Sequence, residues 1–244
     1  MHWRQLLPGC LGLAILSAVY NTLFLYGMKS FDIASGAFTF CMTVVVLPVV
    51  LLTMHQKIPL KTWMSVFFVS TGIVLALGRT LHVDQMGGLG LMSVGCLIRA
   101  VFIVFLADFA KKYDPLAIAI FLELFASGYS LLGWLCDEPR LFFALSYSRT
   151  LVATWAIYSY FIVAISQALN TFAMKRVTAA NATIVYSTEI VFTLIWSVLL
   201  PESLIEQVKL TPFILLGALL VVIGSLAEIM DSHENETADK EGAI

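Results

Sequence analysis

Met174-Lys175-Arg176-Val177-Thr178-Ala179-Ala180 opens a stretch that closes on Val221-Val222-Ile223-Gly224, and the whole stretch is a weak copy of Met28 to Gly78. Met28-Lys29 pairs with Met174-Lys175, Ala34 with Ala180 and Gly78 with Gly224, all at one ungapped separation of 146 residues. Conservative pairs fall between them, such as Phe40 with Tyr186 and Ile73 with Leu219. The register holds across three hydrophobic segments. Duplicated blocks of membrane helices are the building plan of secondary transporters, so the repeat points to a carrier before any motif is read.

Composition fixes the class. Apolar residues make up 60% of the chain and charged residues 12%, with a mean hydropathy of +0.92. Soluble domains carry about 25% charged residues. A bilayer-spanning helix needs about 20 mostly apolar residues, and eight runs approach that: Leu7–Met28, Ile33–Met54, Trp63–Gly78, Gly87–Ala110, Leu116–Cys136, Leu151–Met174, Thr178–Leu200 and Thr211–Met230. The third has a short apolar core and is expected to extend back to Pro59. None alternates in polarity as a barrel strand would. The chain is therefore expected to be an all-α, multi-pass integral membrane protein.

Chemistry-bearing motifs are sparse. Cys10, Cys41, Cys96 and Cys136 fall in or at the ends of apolar runs and read as small buried fillers. His2, His55, His82 and His233 lie in loops or termini, so no metal site is suggested. The sequence holds no CxxC, HExxH, GxxxxGK[ST] or GxSxG pattern. Neither an enzyme nor a cofactor is expected. The first run is too long for a cleavable signal and lacks a small-residue cleavage site.

Basic residues in short loops set the orientation. With eight spans, one side carries Arg4, Lys57, Lys61, Lys111, Lys112, Lys175, Arg176 and Lys240, and the other Lys29, Arg79, Arg140, Arg149 and Lys209. The excess places both termini in the cytoplasm. The tail holding Asp231, Glu234, Glu236, Asp239 and Glu241 is expected to be disordered. Five runs separate the two copies of the repeat, an odd number, so the copies cross the membrane in opposite directions. The expected organisation is an incomplete inverted repeat of three plus five helices. Residues 1–82 form the first unit with three helices, 83–230 the second with five, and 231–244 an acidic disordered cytoplasmic tail.

The seventh run reads Ala180-Asn181-Ala182-Thr183-Ile184-Val185-Tyr186-Ser187-Thr188-Glu189-Ile190-Val191-Phe192, and then ends in Leu199-Leu200-Pro201-Glu202-Ser203-Leu204. A last run with Gly217 and Gly224 follows, and Tyr113-Asp114-Pro115 sits between the fourth and fifth. This pattern resembles the drug/metabolite transporter superfamily, specifically its EamA-like branch. There a small-residue helix start leads to an acidic residue and proline, and the helix ends in Gly-Glu. Glu189 matches the first acidic position with Ile190 in place of proline, and Glu202 the second with Pro201 in place of glycine. The resemblance implies two five-helix repeats in a bacterial inner membrane. The eight runs then correspond to the family's third through tenth helices, the first two being absent either from a gene short at its 5′ end or from a true eight-helix variant.

Ionisable residues inside spans cost about 2.5–3.5 kcal/mol each at helix centre on insertion scales and are functional candidates by default. Arg99, Glu123 and Glu189 qualify. From the helical rise they lie roughly 18, 12 and 16 Å deep, near the middle of a hydrocarbon layer about 30 Å thick. Arg99 either pairs with Glu123 or Glu189 in a polar cavity that meets cargo or a proton, or forms an internal ion pair that fixes packing. The resembling family usually has tryptophan-alanine where this chain has Arg99-Ala100.

Gln167 and Asn170, three apart on one helix face, and Tyr186 reach similar depth, with Asn21 and Thr43 adding to the polar layer. Each could instead serve an interhelical hydrogen bond. Tyr20, Tyr26, Trp155, Tyr158 and Tyr160 could line a pathway or belong to interfacial belts. Gly72, Gly78, Gly217 and Gly224 mark close helix packing, within the chain or in a homodimer. The expected function is secondary transport, with export favoured, of a small organic solute such as an amino acid, metabolite or drug by alternating access. A zwitterionic or cationic cargo suits one cation against two carboxylates. The partners are that solute, the lipid bilayer and a proton as candidate coupling ion, with no nucleic acid. The alternative is a non-transporting membrane component or a truncated, inactive paralogue.

Overall fold

Within lipid a backbone must satisfy its own N–H and C=O groups, and each apolar run accordingly forms helix. The computed structural model describes residues 3–31, 33–55, 58, 60–77, 85–137, 139–144, 147–200 and 211–241, with no strand among the described residues. In chain order they form α1 (Trp3–Met28), α2 (Ile33–Phe40), α3 (Thr43–Thr53), α4 (Leu60–Leu77), α5 (Met86–Lys112), α6 (Pro115–Asp137), α7 (Pro139–Ala144), α8 (Arg149–Ile157), a π-helical stretch (Tyr158–Ile165), α9 (Ser166–Met174), α10 (Ala179–Tyr186), α11 (Glu189–Leu199) and α12 (Pro212–Glu241).

Among the described residues, six stretches are long and apolar enough to cross a membrane: Gln5–Met28, Gly36–Thr53, Met86–Lys112, Pro115–Asp137, Arg149–Met174 and Ala179–Trp196. Thr62–Ala76 and Pro212–Ala227 are shorter apolar helices, and they coincide with the third and eighth runs. His2, Pro59, Gly78, Arg79, His82, Pro201, Glu202, Ser203, Leu204 and Lys209 lie outside the described residues.

Local chemistry sets several helix starts. Asp114 caps α6, its Oδ2 accepting from the Ala117 N–H at 3.3 Å, and Pro115 takes the first helical position, where its missing N–H costs nothing. Ser148 accepts from Leu151 N–H at 3.1 Å and Thr178 from Asn181 N–H at 3.2 Å, both ordinary N-caps. Helix α12 runs on to Glu241, through residues that the composition assigns to a disordered tail. No glycine or proline falls between Ala227 and Glu241, and alanine, glutamate and lysine are good helix formers.

The second and seventh spans are each broken, at Cys41-Met42 and at Ser187-Thr188. These dipeptides are 146 residues apart, the register of the repeat, and the backbone bonds around them correspond except that Ser187 N–H bonds in addition to Ile184 O. Cys41 N–H donates to Ala37 O, as Ser187 N–H does to Thr183 O. Met42 bonds to Thr39 O as Thr188 does to Val185 O, and Val44 to Cys41 O as Ile190 does to Ser187 O. Val45 and Val46 both bond to Met42 O, as Val191 and Phe192 do to Thr188 O. The shortened three-residue bonds are 3₁₀-like tightening. Hydroxyls follow the backbone at both junctions: Thr43 donates to Phe40 O at 2.9 Å, and Ser187 and Thr188 to Ile184 O and Val185 O at 2.6 and 2.7 Å.

The chain divides into two compact units, Met1–Val19 with Val104–Val177, and Tyr20–Ile103 with Thr178–Ile244. In the first, Gly9 of α1 leaves room for the Phe109 ring of α5, Tyr113 hydroxyl meets Gln5 Oε1 at 3.2 Å, and α6 packs on α9. In the second, Phe38, Cys41, Val44, Val69, Ile73, Ile184, Ile190, Leu194 and Val221 share one core. Its tightest crossing is α4 on α12. A Cβ on Gly72 would stand 2.5 Å from Gly217 O, one on Gly217 2.5 Å from Gly72 O, and one on Gly224 2.9 Å from Ser65 O. Three of the four glycines flagged for packing thus serve a contact within the chain.

Candidate functional site

Both helix breaks lie in the second unit, and between them sits Arg99 of α5. Its guanidinium carbon is 3.5 Å from the ring centre of Phe40 and 5.6 Å from that of Tyr186. Phe40 ends α2 and Tyr186 ends α10, so the two rings are the same position in the two copies of the repeat. A cation over an aromatic face gains about 0.5–2 kcal/mol, which offsets part of the cost of holding arginine in a span. The guanidinium has donors to spare, and among the described residues none of them is hydrogen-bonded or ion-paired.

The expected ion pair with Glu189 is absent among the described residues, although the two charges interact through space. Aromatic stacking takes the place of a carboxylate. Glu189 is exposed and occupies the first turn of α11, where the helix dipole favours an anionic side chain. Its counterpart in the repeat is Thr43, the first residue of α3, which is buried. One junction therefore presents a hydroxyl where the other presents a carboxylate.

Sequence reasoning passed over the thiols. Cys96 Sγ donates to Thr39 O at 3.4 Å and Phe40 O at 3.8 Å, and Cys41 Sγ to Ser187 O at 3.9 Å. These carbonyls lie at the breaks, where the helical ladder is interrupted, and weak thiol donors help satisfy them. The signal that could have found Cys41 is its register with Ser187. Ser187 also shares a buried 2.8 Å hydroxyl contact with Ser225 of α12, tying the seventh-span break to the last helix. Cys136, expected to be a buried filler, is exposed at the end of α6, because α6 buries residues only along its first half.

Phe40, Cys41, Thr43, Val44, Arg99, Thr183, Tyr186 and Ser187 line a crevice of about 150 Å³ counting its open mouth, with no room for a water-sized body. Glu123 of α6 and Gln167 and Asn170 of α9 belong to the first unit, and each is half-buried. Gln167 Nε2 is buried without a hydrogen-bond partner. Asn21 is exposed on α1. Tyr20 packs edge-on against Phe24 and tilted against Phe102, and the rings of Trp155 and Tyr160 are exposed.

The family model of the EamA-like transporter family matches residues 86–227, from the start of α5 into α12. The chain belongs to the EamA-like transporter family. No curated protein matches it. A solved protein crystal structure shares the fold of this EamA-like chain with a TM-score of 0.69 at 15% identity, over 94% of this chain and 77% of that one. Members of the family are membrane transporters, and the EamA-like match covers Arg99, Glu123, Gln167, Asn170, Tyr186 and Glu189.

Proposed function

We propose that the chain is a secondary transporter of a small organic solute, working by alternating access with both termini in the cytoplasm. The observation that carries this reading is the pair of helix breaks in matched register on either side of an unpaired arginine. Broken helices at membrane depth are tolerated where they are buried in protein or line a cavity, and transporters place substrate and ion sites there. The matched bonding at the two breaks supports the division into a first repeat within 1–82 and a second within 83–230. The substrate-facing residues are Arg99, Tyr186 and Glu189 in one unit, with Glu123, Gln167 and Asn170 as polar positions of the other. A proton coupled through Glu189 or Glu123 would fit two carboxylates held in spans.

The test is flux. Cells overproducing the chain are compared with cells carrying an empty vector for metabolites released to the medium. The purified protein is then assayed in liposomes for counterflow of each released solute. Solute-specific counterflow is the expected result. Its absence for every released solute supports the alternative, a non-transporting membrane component.

A further inference from the structure

We propose that the free edge of Arg99 is the receptor for a carboxylate on the cargo, so that this chain takes monocarboxylates with an apolar body. The inference rests on the reading of the crevice as the cargo site. Phe40 covers one face of the guanidinium at 3.5 Å, which leaves the in-plane N–H donors as its open side. Those donors form a planar fork that matches two carboxylate oxygens, a match an ammonium cannot offer. No side chain among the described residues occupies the fork. The surrounding crevice is mostly apolar and, in this conformation, closed to a water-sized body, so cargo reaches the fork only when alternating access opens it. Its lining then suits one negative charge beside rings and disfavours a dianion needing many donors. The hydroxyls of Thr43 and Ser187 already donate to backbone carbonyls, so the arginine is the donor set left for the cargo.

The full chain in dodecyl maltoside is probed with hydrocinnamate, its amide and phenylpropylamine, three bodies that differ in one end group. Melting temperature is one readout. Alkylation of Cys41 by N-ethylmaleimide, quantified on its peptide, is the other, since Cys41 lines the same crevice and, being buried, reacts only when that crevice opens. Hydrocinnamate should raise the melting temperature and slow Cys41 alkylation about tenfold once it reaches about ten times its Kd. The amide and the amine should do neither. Arg99→Gln should abolish the response, and Arg99→Lys should keep a reduced one. An equal response to the amide or amine, or an undiminished response in Arg99→Gln, overturns the proposal. If Arg99→Gln does not fold, the contrast between hydrocinnamate and its amide on the unsubstituted protein decides. Counterflow separates the two readings: protection by hydrocinnamate without flux keeps the carboxylate site and sinks the carrier, whereas flux of the amine alone keeps the carrier and sinks the carboxylate site.

Discussion

A guanidinium stacked on a ring is held in place without consuming its donors, and this separates Arg99 from an arginine locked in an ion pair. The stacking makes a prediction at the same scale. Phe40→Leu keeps an apolar side chain but removes the aromatic face, and should weaken cargo affinity by the value of a cation–π contact, about 0.5–2 kcal/mol, or roughly 2- to 30-fold. Tyr186→Phe retains a ring 5.6 Å from the guanidinium and should change affinity little. Binding of hydrocinnamate followed by melting temperature measures both, and a Phe40→Leu variant that binds like the unsubstituted protein removes the stacking from the account. Arg99 was legible in the sequence because a basic residue deep in a span stands out on cost alone. Tyr186 was legible too, as a polar group at similar depth, but Phe40 was not, since hydropathy marks carboxylates as partners and gives no sign that a phenylalanine fills that role.

Helices report how far a hydrophobic pattern can be trusted. The eight runs and their ends follow from desolvation, which depends on composition, so α1, α5 and α6 emerge within a few residues of the expected limits. The breaks at Cys41-Met42 and Ser187-Thr188 contain neither glycine nor proline, and their altered bonding is backbone geometry that no residue type announces. Packing between α4 and α12 gives the sharper test. Gly217→Val must force a Cβ against Gly72 O, a backbone atom that cannot swing aside. Overpacking of this kind costs about 1–3 kcal/mol, so the variant should melt earlier in detergent. Gly12→Ala, where nothing lies within 4 Å, should melt as the unsubstituted protein does or slightly later. Equal melting of both variants would mean that α4 and α12 do not cross where described.

For the whole molecule, the distribution of basic residues is the part of the organisation that sequence gives and helix packing leaves open. Reporter fusions after Lys112, Arg176 and Lys240 should give cytoplasmic signals, and fusions after Arg79 and Lys209 external ones. A C-terminal reporter found outside would undo the odd spacing between the copies, and with it the opposed crossing of α2–α3 and α10–α11.

The two junctions have a kinetic meaning as well. They repeat one another in all but one backbone bond, the extra Ser187 N–H to Ile184 O, so bending either costs the backbone a similar amount. A turnstile whose two leaves hang on equal pivots has no built-in sense of rotation. Net movement would then follow whichever gradient is imposed, and the same protein should fill or empty a vesicle. Exchange rates measured with label started inside and label started outside should agree, and a lasting bias with no gradient present would show that Thr43 and Glu189, where the junctions differ, load one leaf more heavily than the other.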